Sequence, residues 1–172
     1  MRKYISATAL LAILLWGSTA LVGYVNAQPK GQAEAKSVAG EVLTDDTLSQ
    51  SLSNMGFEPK KLSKGFLIAI KQDTWTLNMQ LVLSANQEKI GLNANLGKVE
   101  EPASVGAQTW YDLLVSNGDI DPAAFYFDKD QKKLYLHRTF DNRGVTPAIL
   151  RREIESFGAA IRKTESLWKF TK

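Results

Sequence analysis

The sequence predicts an α+β domain, a five-stranded antiparallel sheet with helices packed on one face, in the order αβββαββα. Three observations predict it. Residues 75–83 read WTLNMQLVL, with Trp75, Leu77, Met79, Leu81 and Leu83 alternating against Thr76, Asn78 and Gln80. A period of two belongs to a strand with one buried and one open face, whereas a helix would scatter these apolar groups around its circumference. The neighbouring alternating stretches are joined by short turns at Asp73–Thr74 and Ala85–Glu88, which close antiparallel hairpins. Three further segments carry apolar residues at helical spacing, with start or stop signals at their ends.

The chain opens on a targeting pattern. Arg2 and Lys3 precede an apolar run that extends from Ala7 to Val25, and Val25-Asn26-Ala27 has the small-x-small form of a signal-peptidase site. Residues 1–27 therefore read as a signal peptide cut before Gln28. Left uncut, the uncharged span 4–29 is long enough to anchor the chain in a membrane. Either fate places the folded part outside the cytoplasm, periplasmic or secreted. Residues 28–42, small, polar and Gly/Ala-rich, read as a flexible linker, and 43–172 as a single domain.

Within that domain, Thr44 is a good helix N-cap, and Asp45 and Asp46 suit the positive end of the helix dipole. Leu48, Leu52 and Met55 form one stripe, and Gly56 ends the first helix as a left-handed cap. The first strand covers 65–72, with Phe66, Ile68 and Ile70 on one face. The second is the 75–83 stretch. The third, 89–99, sets Ile90, Leu92, Ala94 and Leu96 against Gly91, Asn93, Asn95 and Gly97. A second helix is expected over about 104–117, with Trp110, Leu113, Leu114 and Asn117 sharing a face and Gly118 stopping it. Strands at 124–128 and 133–140 follow, with Asp128–Gln131 as their turn. Thr146 caps the third helix and Pro147 is pre-set for its first position. Leu150, Ile154, Phe157 and Ile161 line its inner face, and Leu167 and Trp168 pack back onto the core.

Composition narrows the chemistry. No cysteine is present, so disulfides, thiol nucleophiles, zinc-thiolate sites and Fe–S clusters are excluded. The formal charge of +3 includes Arg2 and Lys3, and without them 19 basic residues face 18 acidic ones. That balance implies no general affinity for nucleic acid. Residues 28–128 carry net −5 and 129–172 net +6, read as solvated faces of opposite sign on one domain.

Three stretches carry a family pattern: W-Y-D-L-L-V-S-N-G from Trp110, A-A-F-Y-F-D-K-D-Q-K-K-L-Y-L-H-R from Ala123, and G-V-T-P-A-I-L-R-R-E-I from Gly144. They resemble a Leu-Leu-x-x-Asn helix end, a Phe-x-x-Asp hairpin and a Thr/Ser-Pro-x-x-Leu last helix. Together with the element order, the chain resembles the type III secretion chaperone-like fold, which includes the Tir chaperone (CesT) group and the YbjN family. The resemblance covers about 44–168 and rests on caps, turns and core positions. It implies a homodimer that binds protein or peptide segments, without chemistry of its own. The export signal departs from the cytoplasmic effector chaperones, which have none.

Candidate chemistry is sparse. His137 is the sole histidine, on the strand face that alternates away from Leu134 and Leu136, and reads as an open-face residue rather than a general base. Asp119/Asp121 and Asp128/Asp130 fall short of a calcium loop, so no metal and no cofactor is expected. Nucleophile-elbow, Walker and dinucleotide motifs are all missing. What remains is the polar sheet face, where Thr76, Asn78, Gln80, Asn93, Asn95, Tyr135 and His137 fall together if the registers hold. The expected function is a non-catalytic, exported protein-binding module; any open edge strand is a second candidate surface, able to pair with a partner strand or with its own copy. The alternative is a periplasmic small-ligand or glycan binder that uses the polar face.

Overall fold

The structure is a computed structural model that describes residues 41–72 and 75–171. The signal peptide, residues 28–40 of the linker and the Asp73–Thr74 turn lie outside the described residues. The element order is α1 (Asp45–Asn54), β1 (Lys60–Lys61), β2 (Phe66–Gln72), β3 (Trp75–Leu83), β4 (Lys89–Lys98), α2 (Ala107–Asp119), β5 (Ala123–Asp128), β6 (Lys133–Asp141) and α3 (Pro147–Lys163). Single 3-10 turns at Pro102–Ser104 and Glu165–Leu167 complete it. All strands pair antiparallel, in the order β1-β2-β3-β4-β6-β5.

The sheet has six strands rather than five. The added one is Lys60–Lys61, which pairs with Leu67 and Phe66 at the edge. Two lysines carry no alternation, so pattern alone gives no strand there. They are held instead by a tight turn in which Leu62 N–H donates to the Gly65 carbonyl at 3.0 Å. The Lys61 ammonium pairs with Asp45 of α1 and lies 4.4 Å from the Phe66 ring centroid. Gly65, at φ +73°, is required here: a Cβ would sit 1.9 Å from the Leu81 carbonyl oxygen.

One face of the sheet is dry. Phe66, Ile68, Met79, Leu81, Leu92, Ala94, Leu134 and Leu136 are buried in a single cluster with Leu48 and Leu52 of α1, Leu113 of α2, and Leu150, Ile154, Phe157 and Ile161 of α3. The α3 stripe is fully buried, and each such side chain contributes about 2 kcal/mol of transfer free energy. Thr44 and Thr146 cap their helices through side-chain oxygens that accept Thr47 N–H and Ile149 N–H. Gly56 takes φ +88° beyond α1. The C-terminal residues close the core, with Trp168 6.1 Å from Trp75 and Phe170 edge-on to Trp110 at 5.8 Å.

Two expectations for α2 need correction. The helix runs through Gly118 to Asp119, because a helical glycine costs only about 1 kcal/mol and Ile120 beyond it is buried. Leu114 does not share the Trp110–Leu113 face: it is 68% exposed, with Tyr111 at 61% and Val115 at 52%. Asn117 does turn inward, and its Oδ1 accepts Phe125 N–H at 2.7 Å.

Alternation also carries a charge inward. Arg138 falls between Leu136 and Phe140 on the core face of β6, opposite Leu92 and Ala123. It pairs with Glu153 of α3, both side chains nearly buried, and donates to Ser156 Oγ at 3.0 Å. Glu153 takes a second bond from Arg152 at 3.2 Å. A paired charge at this depth fixes how α3 sits on β6, while adding little net stability over an apolar pair. The acidic and basic halves of the sequence are thereby interleaved, since β6 lies between β4 and β5.

Beyond β6, Asn142 is fully buried. Its Oδ1 accepts Leu43 N–H at 3.1 Å, and its amide nitrogen donates to the carbonyls of Leu43 and Gln87, each at 2.8 Å. The side chain thus stands in for a strand partner and pins Glu41–Leu43 beside residues 142–144, where Val42 bridges to Arg143.

Candidate functional site: the open sheet face and its edge

The register places one transverse row on the open face, Leu67–Gln80–Asn93–His137–Ala124, across five strands. A second row sets Asn95, Tyr135 and Tyr126 side by side. Apart from Leu67, each is polar, aromatic with a polar tip, or small, because its neighbours on either side along the strand are spent on the core. Asn78, Gln80, Asn93, Asn95 and Tyr135 line a common trough of about 340 Å³, walled on the other side by Leu62 and Leu67. Thr76 stands on the same face but farther along β3, opposite Lys71 and outside the trough. His137 sits at its margin.

His137 is held at both nitrogens. Nδ1 is 2.7 Å from Asn93 Oδ1, and Nε2 is 2.7 Å from Thr139 Oγ1. The amide oxygen only accepts, so Nδ1 carries the proton and the threonine hydroxyl donates to Nε2. Burial favours this neutral form and lowers the imidazole pKa from its usual value. Gly91, without a side chain, lies beneath the ring: a Cβ there would meet His137 Cε1 at 3.5 Å. A hydroxyl, an imidazole and an amide in line invite comparison with a nucleophilic triad. The comparison stops at the surroundings, because Gly91 and Thr139 are ladder partners within continuous strand pairing and the backbone N–H groups of such a ladder are committed between strands. What the network does is orient Asn93: its Oδ1 is taken by His137, and its Nδ2 turns along β4 toward Gly91.

Tyr135 and Tyr126 stack across β6 and β5, centroids 5.0 Å apart and planes within 9°. His137 meets Tyr126 edge-on at 6.2 Å. Desolvation raises both phenol pKa values, so both rings stay neutral at physiological pH. Tyr126, Leu62 and Leu67 are not among the expected face residues. For Tyr126 the signal was present, since it alternates between Phe125 and Phe127. Leu62 belongs to a turn whose placement no local pattern announces. Among the described residues no three His, Asp or Glu side chains converge to hold a metal ion. Among them, too, no helix is long and apolar enough to cross a membrane.

Two other surfaces stand out. The outer edge of β2 is covered by β1 only at Phe66 and Leu67, so among the described residues Ile68–Lys71 has no strand partner on that side. A depression of about 390 Å³ borders it, lined by Phe57, Glu58, Lys60, Ile68 and Lys71 among others. On α2, Tyr111, Leu114 and Val115 present an apolar face to solvent.

No family model matches the chain, and no curated protein is similar to it in sequence. Solved structures do match. E. coli YbjN superposes with a TM-score of 0.55 at 17% identity, over 73% of this chain and 95% of that one. A chain of the ExsC–ExsE complex gives 0.53 at 16% identity, over 72% and 92%. A chain of the HopA1–SchA chaperone–effector complex gives 0.50 at 11% identity, over 71% and 89%. The chain therefore has the fold shared by YbjN and the type III secretion chaperones, as its sequence resemblance implies.

Proposed function

We propose that this chain is an exported, non-catalytic protein-binding module that works as a dimer and takes an extended segment of a partner protein along the open edge of β2. The Ile68–Lys71 edge, unpaired among the described residues, carries the reading. Backbone N–H and C=O groups on such an edge are satisfied by a further strand, and the flanking depression offers room for that strand's side chains. Lys60, Lys71 and Glu58 beside it provide polar contacts of both signs. The HopA1–SchA chaperone–effector complex and the ExsC–ExsE complex, each with a chain of the same fold, lend the reading its class, a binder of other proteins. The Tyr111–Leu114–Val115 face supports the dimer, since three large exposed apolar side chains on one helix gain from mutual burial. Export rests on the signal pattern of residues 1–27.

A photo-crosslinking amino acid placed in the full chain at Ala69 or Lys71, and at Lys129 as a control, tests the edge in cells. The reading expects one envelope protein crosslinked from 69 and 71 and not from 129. Equal products from all three positions, or none from 69 and 71, would overturn it. Light scattering of the full chain against a Leu114→Glu variant tests the dimer, with a halved mass expected for the variant.

A further inference from the structure

The two edges of the sheet are finished differently. In an antiparallel sheet, alternate residues of a strand bond to one neighbour and the residues between them to the other. On β5 the outward set is odd-numbered, because Phe125 N–H leaves the ladder for Asn117 Oδ1 at 2.7 Å and Ala123 N–H for the Ile120 carbonyl at 2.8 Å. Ala123, Phe125 and Phe127 thus face away from β6, and α2 with its following turn takes two of their three N–H groups. On β2 the outward set is odd as well, since the Gly65 carbonyl accepts Leu62 N–H from the 62–65 turn. There Leu67 lies opposite Lys60 of β1, while Ala69 and Lys71 face no strand among the described residues. One edge therefore offers complete pairs of N–H and C=O groups, and the other is stopped by a side chain. Asn117 lies in the last turn of α2, and its carboxamide stands beside Phe125 where a further strand would run.

We infer that Asn117 closes the β5 edge against a second copy of the chain, and that the strand it excludes is Ile68–Lys71 of that copy. The two stretches match. On β5 the Ile120–Ala123 turn closes one end and leaves Phe125–Asp128 for a strand to reach, and on β2 the part left by β1 is Ile68–Lys71. Ala69 and Lys71 on one strand, like Phe125 and Phe127 on the other, are the alternate residues a ladder needs. Four antiparallel steps separate β2 from β5, so the two strands point the same way. A copy added head to tail therefore sets its β2 parallel to β5, and its Lys71 arrives at the Asp128 end, where the charges are opposite. With Phe125 N–H already taken and a carboxamide in the path, that ladder has no start. A head-to-tail contact leaves every added copy with a free edge of its own, so without Asn117 it would propagate. With Asn117 the sheet can be extended at β2 alone, and strand addition ends after one partner. The inference concerns β5 and holds whichever partner β2 takes.

Light scattering of the full chain over a concentration series tests this. The wild type should reach a plateau mass. Asn117→Ala, which removes both the acceptor and the bulk, should give a mass that climbs with concentration without a plateau. Asn117→Asp keeps an acceptor for Phe125 N–H and should behave as the wild type does. Adding Ala69→Pro to Asn117→Ala removes an outward N–H from β2 without touching the β2–β3 ladder, and should restore the wild-type plateau. A plateau for Asn117→Ala, growth of Asn117→Asp, or growth of Asn117→Ala that Ala69→Pro leaves unchanged would each overturn the inference; the last would mark aggregation of unfolded chains, which takes no account of that edge. Should Asn117→Ala fail to fold, hydrogen exchange on the dilute wild-type chain reads the same arrangement. The Phe125 amide should be protected, and the Ala69 and Lys71 amides should exchange freely. Rapid exchange at Phe125, or protection of Ala69 and Lys71, would overturn the inference as well.

Discussion

Replacing Asn142 by alanine should be among the costlier single truncations outside the apolar core. The side chain makes three hydrogen bonds, one from Leu43 N–H and two to the carbonyls of Leu43 and Gln87, and none of its surface reaches solvent. A net loss of about 1 kcal/mol per bond gives about 3 kcal/mol. Leu43 is half-buried, so its orphaned groups rehydrate poorly, whereas the exposed Gln87 carbonyl recovers water and trims its share. With a urea slope of about 2 kcal/mol/M for a domain of this size, the unfolding midpoint should fall by about 1.5 M with the slope unchanged. Asn142→Asp is a sharper comparison. It keeps the volume and the acceptor for Leu43 N–H but turns an oxygen toward two carbonyls, so it should be at least as destabilised as alanine. Urea titration of the full chain followed by tryptophan fluorescence reads both, since Trp75 and Trp168 pack against the core. A midpoint shift under about 0.5 M for both variants would mean that the 41–43 segment is held by something other than this amide.

Two glycines with positive φ should separate strain from collision. Gly65→Ala drives a Cβ to 1.9 Å from a backbone oxygen and should cost more than about 3 kcal/mol, while Gly56→Ala meets nothing within 4 Å and should cost about 1 kcal/mol, both read by thermal denaturation; equal losses would refute the β2–β3 approach described here. The lowered pKa of His137 makes its stabilising contribution a property of the neutral ring. That contribution is fully present above the unfolded value of about 6.5 and is lost as pH falls toward the folded value, at no more than about 1.4 kcal/mol per pH unit. The stability difference between wild type and His137→Gln should therefore shrink on acidification from pH 7 to 5, and parallel curves would show that burial does not perturb the ring.

Much of the fold could be read from periodicity. The 75–83 alternation, the α3 stripe at Leu150, Ile154, Phe157 and Ile161, and the caps at Thr44, Gly56 and Thr146 are local rules that the tertiary structure leaves in force. What escaped is what local rules do not encode. Lys60–Lys61 becomes a strand only because the 62–65 turn folds it against Phe66 and Leu67. Arg138 is legible as an inward position, yet its partner is 15 residues away on a helix, and no spacing rule links a strand to a helix face. Gly118 was read as a stop because glycine often is one, but burial of Ile120 outweighs its small helical penalty. For the open face, alternation named the amides and the register confirmed which of them are neighbours. Tyr126 is legible as an outward position from its alternation with Phe125 and Phe127, but its stacking on Tyr135 depends on the β5–β6 register, and Leu62 enters only through the turn that places it.

The order of the strands has a consequence for a chain made from its N-terminus. The β6–β5 hairpin closes the sheet beside β4, and the inner face is roofed in part by α3 and by the Trp168–Phe170 tail. Until the final few dozen residues have left the ribosome, Met79, Leu81 and Leu92 have α1 and α2 beside them but lack the α3 stripe, and β4 lacks its β6 neighbour. The growing polypeptide is thus barred from completing its core for most of its synthesis. The apolar face of the meander is therefore only part-covered until α3, the last long element, is available to pack on it.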